Sequence, residues 1–191
     1  YKINVGEVTL DWKKIPLSKK MDSQSIQIKR IKIPGLIKIM GANIGNPHCV
    51  VLVKNLKLIK LNMLGPLLVK NKLFPDQANI TFVEVLKKSK VKVLFWERGG
   101  GHTLACGSGT CATAFVLNHN DFVSSKIKVV TERSVLKTEI KDKMVFLQGP
   151  SLVKNKLFPD QANITFVEVL KKSKVKVLFW ERGGGHTLAC G

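Results

Sequence analysis

Residues Leu68–Gly107 recur without a single change as Leu152–Gly191, a run of 40 residues at an offset of 84. Repeat architectures diverge from unit to unit, and they need about three or more units to bury a shared core. One unchanged pair meets neither condition. The 191-residue chain is therefore divided into an informative unit, residues 1–150, and an added copy, residues 151–191, that is not expected to form an independent domain.

Within the first unit the hydrophobic pattern is mostly that of strands. Ser25 to Ile33 alternates through Ile26, Ile28, Ile31 and Ile33, with a one-residue slip at Lys29-Arg30 of the kind a bulge causes. Cys49 to Val53 is a short apolar run suited to a buried strand. Leu58 to Leu64 is helix-like and is expected to stop at Gly65-Pro66. Asn79 to Leu86 and Lys90 to Trp96 both alternate and are separated by a polar turn, as in a hairpin. After Gly99-Gly100-Gly101, Ser108 or Thr110 is placed to cap a helix running to about Asn118. That helix is apolar nearly all round, so it should be buried. Three short strands follow, Lys126 to Thr131, Val135 to Ile140 and Met144 to Leu147. The expected fold class is α+β, a curved, mostly antiparallel sheet wrapped around one buried apolar helix.

Charge and cysteine usage narrow the function. The net charge of +19 invites a nucleic-acid reading. Yet only Arg30, Arg98, Arg133 and Arg182 are arginine, and base recognition favours the planar Arg fork. The lysines are scattered, so a solvated Lys-rich surface is the preferred reading and no nucleic-acid partner is expected. Cys49, Cys106, Cys111 and Cys190 are too few for a disulfide scaffold. The chain opens on Tyr1 rather than Met, without a charged-then-apolar leader. It is expected to begin inside a longer reading frame, to be cytoplasmic and to have no membrane partner. His102, Cys106, Cys111 and His119 form none of the close pairs of a structural zinc site, so no metal is expected.

The segment from Trp96 to Ala112 carries the chemistry. Cys106 sits just before the N-terminus of the apolar helix, where unpaired N–H groups and the helix dipole favour a thiolate. Gly107 and Gly109 allow close backbone approach, and the same N–H groups can hold a carboxylate. A thiol base beside an anion site suits removal of a proton from the carbon next to a carboxylate. Gly45-Asn46-Pro47-His48-Cys49 adds an amide and an imidazole on a turn between two strands. Asn79 adds another amide, and Glu97 and Arg98 add opposite charges that match an amino acid. Cys49 and Cys111 read as core.

These segments, together with Asn79-Ile80-Thr81-Phe82-Val83 and Trp96-Glu97-Arg98-Gly99, resemble the second half of diaminopimelate epimerases over residues 1 to 150. The resemblance implies two similar α+β domains facing each other across a cleft. It implies interconversion of LL- and meso-diaminopimelate without cofactor, in lysine and peptidoglycan precursor synthesis. It makes Cys106, His48 and Glu97 catalytic, and it makes Asn46, Asn79, Glu97, Arg98, Gly107 and Ser108 substrate ligands. It also implies a second cysteine, on a Cys-Gly-Asn-Gly turn of the first domain, that is absent from these 191 residues. The partners expected are therefore diaminopimelate and a separate first domain or a second copy of the chain. Cys190 is not expected to replace that base, since only Gly191 follows it. His102 departs from the family, which commonly has Glu there. The alternative is a basic binding module that has lost catalysis.

Overall fold

The computed structural model describes residues 2–149 and, beyond them, residues 164–171, 174–181 and 185–187. The described residues belong to two compact units, one of them Lys2–Gln148 and the other within 149–191.

The first unit begins with strands β1 (Lys2–Glu7), β2 (Leu36–Asn43) and β3 (Pro47–Val53), then helix α1 (Leu61–Val69). Strands β4 (Asn79–Lys87), β5 (Lys90–Glu97) and β6 (Gly101–Thr103) follow, then helix α2 (Gly107–His119). Strands β7 (Lys126–Val130), β8 (Val135–Lys141) and β9 (Met144–Gln148) complete it. All nine strands form one sheet in the order β1-β9-β8-β7-β5-β4-β3-β2, with β6 on β5 beyond the end of β7. Only β3–β4 and β5–β7 are parallel pairs. A parallel pair needs a crossover connection, and these two crossovers carry α1 and α2.

The sheet curls around α2. That helix touches β2, β3 and β4 towards one end of the strand order and β7, β8 and β9 towards the other. A flat sheet cannot do this. The curl nearly closes at Thr9, just beyond β1, whose N–H donates to the Asn43 carbonyl at the free edge of β2 (2.9 Å) and whose carbonyl accepts in return. Every residue of α2 from Gly109 to Leu117 is buried, which answers to its apolar circumference. The second face of β3, β4 and β5 packs under α1, where Leu64, Leu68 and Val69 meet Val51, Val53, Ile80 and Phe82. This is the expected α+β architecture.

Three local expectations change, and two strands are new. Ser25–Ile33 is not a strand: Arg30 takes a positive φ of 68°, and the segment's bonds to β2 are isolated, the Ile26 N–H donating to the Ile39 carbonyl (2.9 Å) and the Ile33 carbonyl accepting from the Leu36 N–H (3.3 Å). Ile26 and Ile33 are nonetheless buried. The alternation records which side chains point inward, not a ladder. The helix expected over Leu58–Leu64 begins later, after a 3-10 turn at Leu56–Leu58, and runs through Gly65-Pro66 to Val69. Gly65 is there because a Cβ would lie 2.4 Å from Cδ2 of Trp96. The cap of α2 is Cys106 rather than Ser108 or Thr110. Finally, β1 and β2 have no clear period in the sequence and emerge only through their pairing.

The second unit is a three-stranded sheet of β10 (Ile164–Lys171), β11 (Lys174–Glu181) and β12 (Gly185–Thr187). It repeats the register of β4–β6: Ile164 faces Trp180 as Ile80 faces Trp96, and the irregularity at Val169/Lys171 matches that at Val85/Lys87. Cys190 and Arg182 lie outside the described residues. Among the described residues no helix is long and apolar enough to cross a membrane.

Candidate active site

One end of the sheet gathers the residues singled out above. Strands β3 and β4 are parallel and start together, with His48 opposite Asn79. Strand β5 runs antiparallel to β4, so Glu97 and Arg98 arrive at that same end. Strand β6 turns back along β5, pairing Glu97 with Gly101, and leads directly into Cys106.

His48 is fully buried, and its Nε2 lies 3.0 Å from Asn46 Oδ1. With Nε2–H donating to that oxygen, Nδ1 carries the lone pair, and it has no partner among the described residues. Burial, and then the positive Arg98, push the His48 pKa down from 6.5 to about 4. The imidazole is neutral at ordinary pH. Asn79 ties three elements together: its Nδ2 donates to the Pro47 carbonyl (3.4 Å), and its Oδ1 accepts from the Arg98 N–H (3.0 Å). The Arg98 guanidinium is anchored on the Asp76 carbonyl (2.9 Å).

Around Cys106 the backbone is extended (φ −140°, ψ 117°), as an N-cap requires, and Sγ accepts from the Gly109 N–H at 3.3 Å. Ser108 Oγ lies 3.5 Å from Sγ, and Thr110 Oγ1 donates to the Cys106 carbonyl at 2.7 Å. The space at Gly109 is tight: a Cβ there would lie 3.0 Å from Phe95 and 3.2 Å from Sγ, so these neighbours would have to give.

The protonation of this thiol differs from the expectation of a stabilised thiolate. Burial raises the Cys106 pKa, and the neighbouring Glu97 carboxylate raises it further; Ser108 and the Gly109 N–H oppose them without prevailing. The helix terminus is present, but removal from water and a nearby negative charge outweigh it. Cys106 rests as a thiol beside a carboxylate. Cys49 and Cys111 are buried and pushed up to about 12, as core thiols are.

Two groups thus form, His48 with Asn46, Asn79 and Arg98, and Cys106 with Glu97 and Ser108. The sequence neighbours Glu97 and Arg98 join them. Gly107 opens α2 beside Cys106. Outside both groups, His102 Nε2 meets Glu132 Oε2 at 2.6 Å. Gly109 was expected to offer its N–H to a ligand and instead donates it to Cys106 Sγ; the contributor with no place in the sequence analysis is Gly65, which seats the Trp96 ring next to Glu97. A glycine inside an apolar run was the only available signal for Gly65.

The family model described as diaminopimelate epimerase matches residues 40–151. The diaminopimelate epimerase of Pelagibacter ubique is 34% identical over 155 residues, covering 79% of this chain and 57% of its own length. That of Acetivibrio thermocellus is 33% identical over 154 residues, covering 79% and 54%. That of a Wolbachia from Brugia malayi is 41% identical over 113 residues, covering 58% and 42%. The chain spans about half the length of the relatives it matches. It belongs to the diaminopimelate epimerase family.

Proposed function

We propose that residues 1–150 are the second domain of an epimerase that interconverts LL- and meso-diaminopimelate, with Cys106 as one of two thiol bases. Inversion at carbon needs a base on each face. A thiolate on one face takes the α-proton, leaving a carbanion. A thiol on the other face delivers its own proton to that carbanion. The first thiolate has then become a thiol and the second thiol a thiolate, so charge and protons balance without a cofactor.

The observation that carries this reading is Cys106 at the cap of α2, a protonated thiol in contact with the Gly109 N–H and beside Glu97. Such a thiol is ready to donate, and Glu97 is placed to accept its proton when the direction reverses. Free N–H groups of the first turn at Gly107 and Ser108 suit the substrate carboxylate. Arg98, Asn79 and Asn46 supply a cation and amides for the remaining polar groups. His48, neutral and with a free lone pair, supports catalysis from the strand end it shares with Asn79.

The second base has no counterpart on another turn of this kind in the 191 residues, and residues 151–191 are an added copy rather than a first domain. The chain alone therefore does not turn over. The test is the LL-to-meso ratio after incubation with LL-diaminopimelate, with and without a first domain taken from a relative. Conversion only with that domain, abolished by Cys106→Ala, is the expected result. Conversion by the chain alone overturns the requirement for a second domain, and conversion by Cys106→Ala overturns the role of Cys106.

A further inference from the structure

The end of β5 remote from Glu97 opens a concavity. It has a volume of about 550 Å³, and its lining includes six lysines, no arginine and a single acid, Glu139. Pockets of about 300–1,000 Å³ are the size that holds small molecules. Lys90 begins β5 and Glu97 ends it, which separates the two sites by roughly 23 Å at the rise of an extended strand.

The strand registers make this more than a scatter of surface charge. Lys90 pairs with Lys128, Lys128 with Lys137, Lys137 with Gln148, and Gln148 with Lys2. Directly paired residues project from the same face of a sheet. Four lysines and a glutamine therefore form one transverse row across β5, β7, β8, β9 and β1, about 19 Å long at the usual strand spacing. Like charges directly opposite each other destabilise a sheet. Here two such pairs are consecutive, Lys90–Lys128 and Lys128–Lys137, and none of the three lysines has an ion-pair partner among the described residues.

Glu139 offsets only the Lys2 end of the row and leaves Lys90, Lys128 and Lys137 unpaired among the described residues. It lies in the neighbouring row, opposite Lys126, and is already shared by Lys2, Lys126 (3.5 Å) and Lys141 (3.8 Å). The groove keeps a large excess of positive charge that folding alone does not explain.

We propose that this groove binds an oligophosphate anion, with Lys90, Lys128, Lys137 and Lys2 as its cationic row. An oligophosphate carries about one negative charge on each inner phosphate and more than one at its ends near neutral pH. Such a chain matches a line of closely spaced ammonium groups, which bind phosphate as point charges. The absence of arginine from the lining fits recognition of charge rather than of bases.

The test is calorimetric titration of the full chain with inorganic tripolyphosphate at low salt. The variants are Lys128→Gln/Lys137→Gln in the row and Lys19→Gln/Lys20→Gln, two exposed lysines away from the sheet. The row variant should lose about tenfold or more in affinity, and the control should keep the parent affinity. Without anion, the row variant should melt above the parent, because the like-charge pairs are gone; this also shows that it folds. ATP binding as tightly as tripolyphosphate supports recognition through phosphates alone. No binding by the parent, an equal loss in both variants, or citrate binding as tightly as tripolyphosphate overturns the assignment.

Discussion

At Cys106 two opposing influences act on one sulfur. The Gly109 N–H and Ser108 favour the thiolate, while burial and Glu97 favour the thiol, and the thiol wins. Alkylation by iodoacetamide, read by mass spectrometry at the Cys106 peptide, should have its pH midpoint above the 9.0 of an ordinary thiol. Glu97→Gln should lower that midpoint; an unchanged midpoint would show that Glu97 does not act on the thiol. His48 shifts the other way. Its folded pKa, about 4, lies below the 6.5 of the unfolded chain, so the folded state takes up a proton less readily. The stability tied to neutral His48 is complete above pH 6.5 and is lost as pH falls towards 4. That shift is equivalent to about 3 kcal/mol. Urea unfolding at pH 7 and pH 4 should show that His48→Gln loses less stability over the interval than the parent does. Equal losses would contradict a buried neutral imidazole. The identities of these residues were legible in the sequence, since the turn and cap motifs carry them. The direction of the Cys106 shift was not, because desolvation and the approach of Glu97 depend on the folded surroundings.

Among the elements, α2 was readable because a helix apolar all round has only one place to go. The strands β3, β4, β5, β7, β8 and β9 were readable from short apolar runs between turn residues. Strands β1 and β2 were not, and Ser25–Ile33 imitated a strand, because alternation reports burial and says nothing of backbone partners. Helix α1 was cut short in the sequence reading by Gly65-Pro66, residues that ordinarily end helices. The Trp96 indole decides otherwise: it occupies the space a side chain at position 65 would take. Gly65→Ala should therefore destabilise by about 1–3 kcal/mol, although alanine is the better helix former. Stabilisation in a denaturant titration would refute this packing. At the cap of α2, Cys106→Ala should cost about 0.5–2 kcal/mol while Cys106→Ser costs less, since a hydroxyl can also accept from the Gly109 N–H. Equal costs would show that the cap bond contributes nothing.

At the scale of the whole chain, the duplication places two copies of one strand sequence in a single molecule. Both copies adopt the same three-stranded register, so that register is set locally by the segment itself. A strand set with unpaired edges invites pairing between chains. The 191-residue chain should associate in light scattering, and a chain ending at residue 149 should stay monomeric; a monodisperse monomer of the longer chain would contradict this. Proton transfer by Cys106 can be read directly from α-proton exchange into diaminopimelate in deuterated water. Deuterium should appear at the α-carbon only when a first domain is supplied, and Cys106→Ala should abolish it. Exchange that persists in Cys106→Ala would contradict the role assigned to this thiol.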